Sequence, residues 1–169
     1  MPNHVENELR VYGKLPRIAE VFSRYKSTEE HLDADKVIPY PEEFRDMDAA
    51  HKRLVEQAQA GLIPWDEAYK SKDGYNSGGY DWCVTNWGTK WGMYRTSEPV
   101  FYKRSAYVFF ESAWSPPLPV IYQMSRDFPD LLFVLRYWEG GVGFKGDYRC
   151  KGGEIIIDHE FEYRGGRGG

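Results

Sequence analysis

The chain has 169 residues, enough for one well-filled core and short for two. Aromatics make up 17%, mean hydropathy is -0.65 and formal net charge is -4, which describes a globular domain with polar surface insertions whose overall field mildly disfavours nucleic acid. No apolar run approaches the ~20 residues needed to span a bilayer, and the first residues lack the basic and apolar regions of a signal peptide, so a cytosolic protein is expected.

His4 to Tyr12 alternates, with Val5, Leu9 and Val11 on one face beside Asn7 and with Glu6, Glu8 and Arg10 on the other. That is the pattern of a half-buried strand. Gly13 breaks it, Pro16 suits the first turn of a helix, and Ile18, Val21, Phe22 and Tyr25 recur at helical spacing. Residues 36–38 predict a short strand stopped by Pro39 and Pro41. Residues 42–60 predict a helix that is acidic at its start, ended by Gly61 and thin in apolar residues, hence a peripheral insertion. Residues 70–79 are polar and glycine-rich and read as a mobile loop.

Residues 80–87 then make two helical turns, with Cys83 set against Trp87, and Gly88 stops them. Thr89, Trp91 and Met93 alternate as in a strand. The aromatic and β-branched run from Ser105 to Glu111 returns as its hairpin partner. Ser115 is a candidate cap for a helix opened by Pro116 and Pro117, with Ile121, Met124 and Phe128 as its buried stripe. Residues 131–138 form an apolar strand, a glycine-punctuated segment follows from Gly140 to Gly146, and residues 154–163 form a last strand. On that strand Ile155, Ile157, Phe161 and Tyr163 share one face, and Glu154, Asp158, Glu160 and Glu162 the other. His159, alternating with Ile157 and Phe161, is expected in or near the core. Residues 164–169 form a Gly/Arg tail expected to be disordered.

Two βαβ-type halves sharing one antiparallel sheet, with both helices on one face, give an α+β fold, the ferredoxin-like sandwich. It is expected as a single domain over residues 1–163, with the helical and loop insertion at residues 41–79 and an extra C-terminal strand.

Three stretches carry a family resemblance. They are Pro2-Asn3-His4-Val5-Glu6-Asn7, the tryptophan-rich Trp82-Cys83-Val84-Thr85-Asn86-Trp87-Gly88-Thr89-Lys90-Trp91, and Ala113-Trp114-Ser115-Pro116-Pro117-Leu118-Pro119. In that order, with Gly141-Val142-Gly143-Phe144 before the last strand, they resemble the YubB-like family of plasmid and phage proteins with a ferredoxin-like domain. The resemblance implies that fold and a mobile-element origin. It implies no reaction and no catalytic residue.

The chemistry points the same way. The four histidines have no metal-ligand spacing, so neither a metal nor a cofactor is expected. Ser115 has no nucleophile elbow around it, and Cys83 and Cys150, far apart and outside any CxxC spacing, read as buried free thiols. The tryptophan-rich motif allows two readings. Trp87, Trp91 and Trp114 pack at a helix–strand junction that Asn86 ties down, with the Lys90 stem over an indole. Alternatively Asn86, Lys90 and Glu111 converge as a ligand or acid–base pocket, the one candidate enzyme site.

On the sheet, Tyr107 and Phe109 alternate as the stacking aromatics of an RRM do, and two RG repeats end the chain. Carboxylates on the outer faces of the first and last strands oppose that reading. Glu6, Glu8, Glu111, Asp158, Glu160 and Glu162, with Tyr107 and Phe109 as anchors, instead predict a non-enzymatic protein that binds a host or defence-system protein through an acidic sheet face. RRM-like nucleic-acid binding is the alternative, and charge that merely protects an edge strand is the plainest account.

Overall fold

The computed structural model describes residues 3–165. Its centre is the strand His4–Tyr12 (β1), whose strict alternation buries Val5, Asn7, Leu9 and Val11. Gly13 and Lys14 turn the chain into helix Leu15–Arg24 (α1), with Pro16 in its first turn and Ile18, Val21 and Phe22 facing the sheet. Strand Ser105–Ala113 (β3) pairs antiparallel with one edge of β1, and strand Leu132–Glu139 (β4) with the other. Helix Leu118–Asp127 (α6) joins these two strands, burying Val120, Ile121 and Met124. Strand Val100–Phe101 (β2) lies outside β3, while Phe144–Lys151 (β5) and Glu154–Glu162 (β6) extend the far side. The sheet order β2-β3-β1-β4-β5-β6 contains the ferredoxin-like arrangement, lengthened by the β5–β6 hairpin.

Between α1 and β3 the chain forms four further helices, Ala34–Val37 (α2), Glu42–Gln59 (α3), Trp65–Lys70 (α4) and Gly79–Asn86 (α5). Helix α3 buries only Ala58, as its thin stripe implies. Its first turns are nevertheless held in place, because Asp48 accepts the Tyr75 amide at 3.0 Å and the Phe44 ring packs on Tyr40.

Several local expectations are corrected. Residues 36–38 belong to the end of α2, not to a strand, because Asp33 caps the turn by accepting the Asp35 amide at 2.9 Å. The stretch from residue 70 to 79 is not a free loop. It holds the end of α4 and a 3-10 turn at Tyr75–Ser77, with Tyr75 Oη donating to the Lys90 carbonyl at 3.0 Å. Residues 89–94 form no strand. Lys90 and Tyr94 each donate an amide to β3, but residues 88–91 form bends, with the Thr89 hydroxyl donating to the Trp91 carbonyl, and Val100–Phe101 takes the hairpin position. Ser115 is no N-cap: its hydroxyl donates to the Gly88 carbonyl, and Pro117 precedes α6 without a side-chain cap. Within the expected tail, Arg164 pairs with Glu162, and residues 166–169 lie outside the described range.

Candidate functional site

Both ferredoxin-type helices cover one side of the sheet, so the alternate residues of every strand are left on the other, open side. Register places Glu6, Glu8 and Arg10 of β1 there, beside Tyr107, Phe109 and Glu111 of β3 and Arg136 and Trp138 of β4. Lys145, Asp147 and Arg149 of β5 continue the face, and Ile157, His159 and Phe161 of β6 end it.

The face is not acidic. Glu6, Glu8, Glu111 and Asp147 are matched one for one by Arg10, Arg136, Lys145 and Arg149. Most of these charges are spent on neighbours. Arg10 Nε donates to Glu8 at 2.6 Å, Arg149 grips Asp147 at 2.8 and 2.7 Å, and Arg95 reaches both Glu111 oxygens at 3.1 and 3.0 Å. The hydrogen bonds from Arg149 hold the Asp147 carboxyl below the usual range. Among the described residues, Arg136 and Lys145 make no ion pair. They line a shallow cleft of about 430 Å³ with Glu8, Trp138, Asp147 and Phe161. Beside the charges runs an aromatic ridge. Tyr102 stacks on Tyr107 at 5.9 Å, Phe109 meets Tyr107 edge-on at 5.3 Å, and the Arg10 guanidinium sits 5.3 Å from the Tyr107 ring centre.

Asp158, Glu160 and Glu162 do not join Glu6, Glu8 and Glu111. His159 lies opposite Asp147, whereas Glu160 lies opposite Gly146, so the three carboxylates point to the helix side. Burial raises the Tyr137 phenol to about 12 with Glu160 and Asp158 adding to it, which places those acids beside a helix-side ring. The expectation of one acidic face fails because β6 is an edge strand beyond the helix layer, which meets it only sparsely through α6. Its apolar residues need not face the core: Phe161 is 51% exposed and Ile155 50% exposed. A bulge opposite Arg149 and Cys150 also separates Ile155 from the face of Ile157. For the same reason His159 is exposed rather than in the core.

The tryptophan-rich motif packs in part on its own aromatic rings and in part stays accessible, Trp114 being 45% exposed. Trp87 is 6% exposed and its indole N–H donates to the Ile38 carbonyl at 2.9 Å, tying α5 to the end of α2. The Tyr40 ring lies against both Trp82 and Trp87. Asn86 Nδ2 turns back on the Trp82 carbonyl at 2.9 Å. Gly88 has φ +76°, and a Cβ there would lie 2.8 Å from Pro119 Cδ, so both its conformation and its contact require glycine. Lys90 Nζ rests 4.4 Å from the Trp114 ring centre and 5.3 Å from that of Trp91. Glu111 is engaged elsewhere, by Arg95 and by His4 at 3.3 Å. Asn86, Lys90 and Glu111 therefore have separate partners. Burial also raises both thiols, Cys83 and Cys150, to about 11, which keeps them protonated near neutrality. Among the described residues no three His, Cys, Asp or Glu side chains group as metal ligands.

Sequence reasoning did not single out Arg136, Trp138 or Lys145. For Lys145 the signal was the strict charge alternation of Lys145, Asp147, Arg149 and Lys151, which marks β5 as a strand with one polar face; for Arg136 it was the lone charge within the apolar run of β4. It also passed over the role of Asn7, whose buried Nδ2 donates to the Val5 carbonyl at 2.9 Å and to Ser112 Oγ at 3.0 Å.

No helix among the described residues is long and apolar enough to cross a membrane. No curated protein matches the sequence. Among solved structures the chain is similar to the protein api92 from Yersinia pseudotuberculosis, at 11% identity and a TM-score of 0.49, over 98% of this chain and 99% of that one. A family model described as the ferredoxin-like domain in Api92-like protein matches residues 65–166, which takes in α4, α5, α6 and strands β2 to β6. With more than half of its length matched, and with the sheet order that description requires, the chain belongs to the family of Api92-like proteins with a ferredoxin-like domain.

Proposed function

We propose that the protein acts by binding a macromolecule, without catalysis, and that the partner is a protein seated on the open sheet face. The carrying observation is that face itself. Among the described residues no helix covers it, its aromatic ridge of Tyr102, Tyr107 and Phe109 is accessible, and its charges are largely neutralised in place. Aromatic anchors within a mixed, self-compensated polar surround suit a protein interface. A phosphate backbone calls for uncompensated cations in number. The resemblance to plasmid and phage proteins of the YubB-like family supports a mobile-element origin, and with it a host or defence-system protein in the bacterial cytosol as the partner. Catalysis finds little support at Asn86, Lys90 and Glu111, since each is held by a different neighbour.

A nucleic-acid reading draws on one observation, the Arg136 and Lys145 cations beside Trp138 and Phe161 in the open-face cleft. One experiment separates the two. Tagged protein is used to capture partners from bacterial extract with and without nuclease, comparing wild type with Tyr107→Ser/Phe109→Ser. A protein retained despite nuclease and lost with the double substitution is expected. Nuclease-sensitive capture, or capture that ignores the substitution, would overturn the reading.

A further inference from the structure

The last strand is unusual for its position. Strand β6 ends the sheet, runs for nine residues, and is exposed at every residue except the half-buried Ile157. Among the described residues no strand pairs with its outer edge. Long edges of this kind offer unpaired backbone groups to any extended chain, and proteins blunt them with proline, lysine, charge, a bulge or short length. β6 carries a bulge at its start and four carboxylates, which repel acidic chains and leave the edge open to a basic one. β6 has neither proline nor lysine and is as long as β1. The opposite edge of the sheet is only the two residues of β2.

We propose that the β6 edge is a docking strand for an extended basic segment of a partner protein, added to the sheet by backbone pairing. This surface is distinct from the open-face aromatic ridge. An added strand would alternate its side chains between the two sides of the sheet. On the helix side it would meet Asp158, Glu160 and Glu162 in succession, of which Asp158 and Glu160 make no ion pair among the described residues. A groove of about 490 Å³ between α5, α6 and the hairpin opens beside that row, lined in part by Tyr122, Tyr148 and Ile155, with Arg126 and Asp158 as its two charges, so it offers apolar contact while the acidic row supplies the charge. On the open side the added strand would meet Ile157, His159 and Phe161. Lysine or arginine at alternate positions, with apolar residues between them, complements both rows.

Charge argues against the other occupants. A second copy paired antiparallel and centred on Asp158, His159, Glu160 or Phe161 sets at least one carboxylate of this row directly against another: Asp158 on itself, Asp158 on Glu160, Glu160 on itself, or Glu160 on Glu162. Nucleic acid would bring its phosphates to the same row.

The test uses the full chain and two fluorescein-labelled nonapeptides, one alternating lysine with valine and one alternating glutamate with valine. Binding is read by anisotropy, and amide hydrogen exchange locates the bound peptide. Wild type is expected to bind the lysine peptide, with exchange slowing across residues 154–162. The variant Asp158→Lys/Glu160→Lys is expected to weaken that binding roughly fivefold or more and to prefer the glutamate peptide, as befits the loss of two exposed charge contacts. Slow exchange at β1 and β3 in the variant shows that it is folded. Lysine-peptide binding indifferent to the substitutions, or slowed exchange on another strand, would overturn the proposal. So would β6 protection without peptide in a species of dimer mass, which would make the edge a self-association strand. Tighter binding of a labelled thymidine oligomer than of the lysine peptide would overturn it in favour of nucleic acid.

Discussion

If the tryptophan-rich motif holds α2 and α5 together, Trp87→Phe should be costly although it keeps an aromatic ring. The substitution deletes the indole N–H that donates to the Ile38 carbonyl at 2.9 Å. It also deletes one ring edge of a side chain packed against Tyr40 and Trp82 at centroid distances of 5.9 and 5.2 Å. The hydrogen bond contributes about 1 kcal/mol net, and Ile38 is only partly buried, so water can replace the lost donor. The missing ring atoms leave a gap beside an otherwise filled cluster and add about 1–2 kcal/mol. The sum, about 2–3 kcal/mol, corresponds to roughly 4–12 °C in Tm for a chain of this size. Urea unfolding followed by circular dichroism measures it, with Lys90→Met as the comparison. Lys90 lies over Trp114, which is 45% exposed, so its cation–π contacts are worth about 0.5–1 kcal/mol. A Trp87→Phe cost below that of Lys90→Met would refute the structural reading of the motif and return Lys90 to consideration as a ligand group.

Gly146→Ala should destabilise by about 1–3 kcal/mol, because the new Cβ would stand 2.1 Å from the buried Tyr137 ring that lies across β5; an unchanged urea midpoint would show that this ring has somewhere else to go. Stability should also fall on the alkaline side. The thiols Cys83 and Cys150 ionise near 9 when unfolded and near 11 when folded, so between those values the unfolded state has released protons that the folded state still holds, and stability drops as pH rises. The Tyr137 phenol, raised to about 12, extends the fall. Urea midpoints from pH 8 to pH 11 follow it, and thiol labelling at pH 8 should proceed in urea but not in buffer; a flat midpoint together with rapid labelling of the folded chain would contradict the burial of both groups.

The elements that were legible are those whose period is strong and whose neighbours do not contest it. Strand β1 carries its register in nine alternating residues, and α1 its face in Ile18, Val21 and Phe22. Short runs fared worse. Residues 36–38 read as a short strand because they are largely apolar and stopped by Pro39, yet the Asp33 cap and the burial of Ala34 and Val37 decide for a helical turn. Strand β5 was hidden by glycine. The residues Gly140, Gly141, Gly143 and Gly146 read as punctuation, although Gly146 is inside the strand, where the Tyr137 ring fills the space that a side chain would need. Missing β5 then moved the acids of β6 to the wrong side, because a strand taken to lie over a core is assumed to turn its apolar residues inward. The partners of Trp87, Tyr40 and Ile38, lie in and just after the α2 turn, which the sequence reads as a strand, so this contact is not legible from the motif alone.

The β5–β6 hairpin carries the sheet past the two helices, and its two strands differ in how they are held. Strand β5 buries Tyr148 and Cys150 against α6 and shares the core. Strand β6 buries no residue, so only its ladder to β5 and sparse contacts with α6 fix it. With each ladder hydrogen bond worth about 0.5–1.5 kcal/mol net, β6 belongs to the least stable part of the fold and opens before the sheet centre. A segment pairing with its free edge would give β6 a second ladder and bury Phe161 and Ile157. It would also stabilise the strand in proportion to its affinity for the closed form. The face built on β1 and β3 has no such freedom, since Val5, Leu9, Val108 and Phe110 fix its backbone from behind. The rigid face is suited to a preformed partner surface. The loosely held edge is suited to a chain that becomes a strand only as it binds.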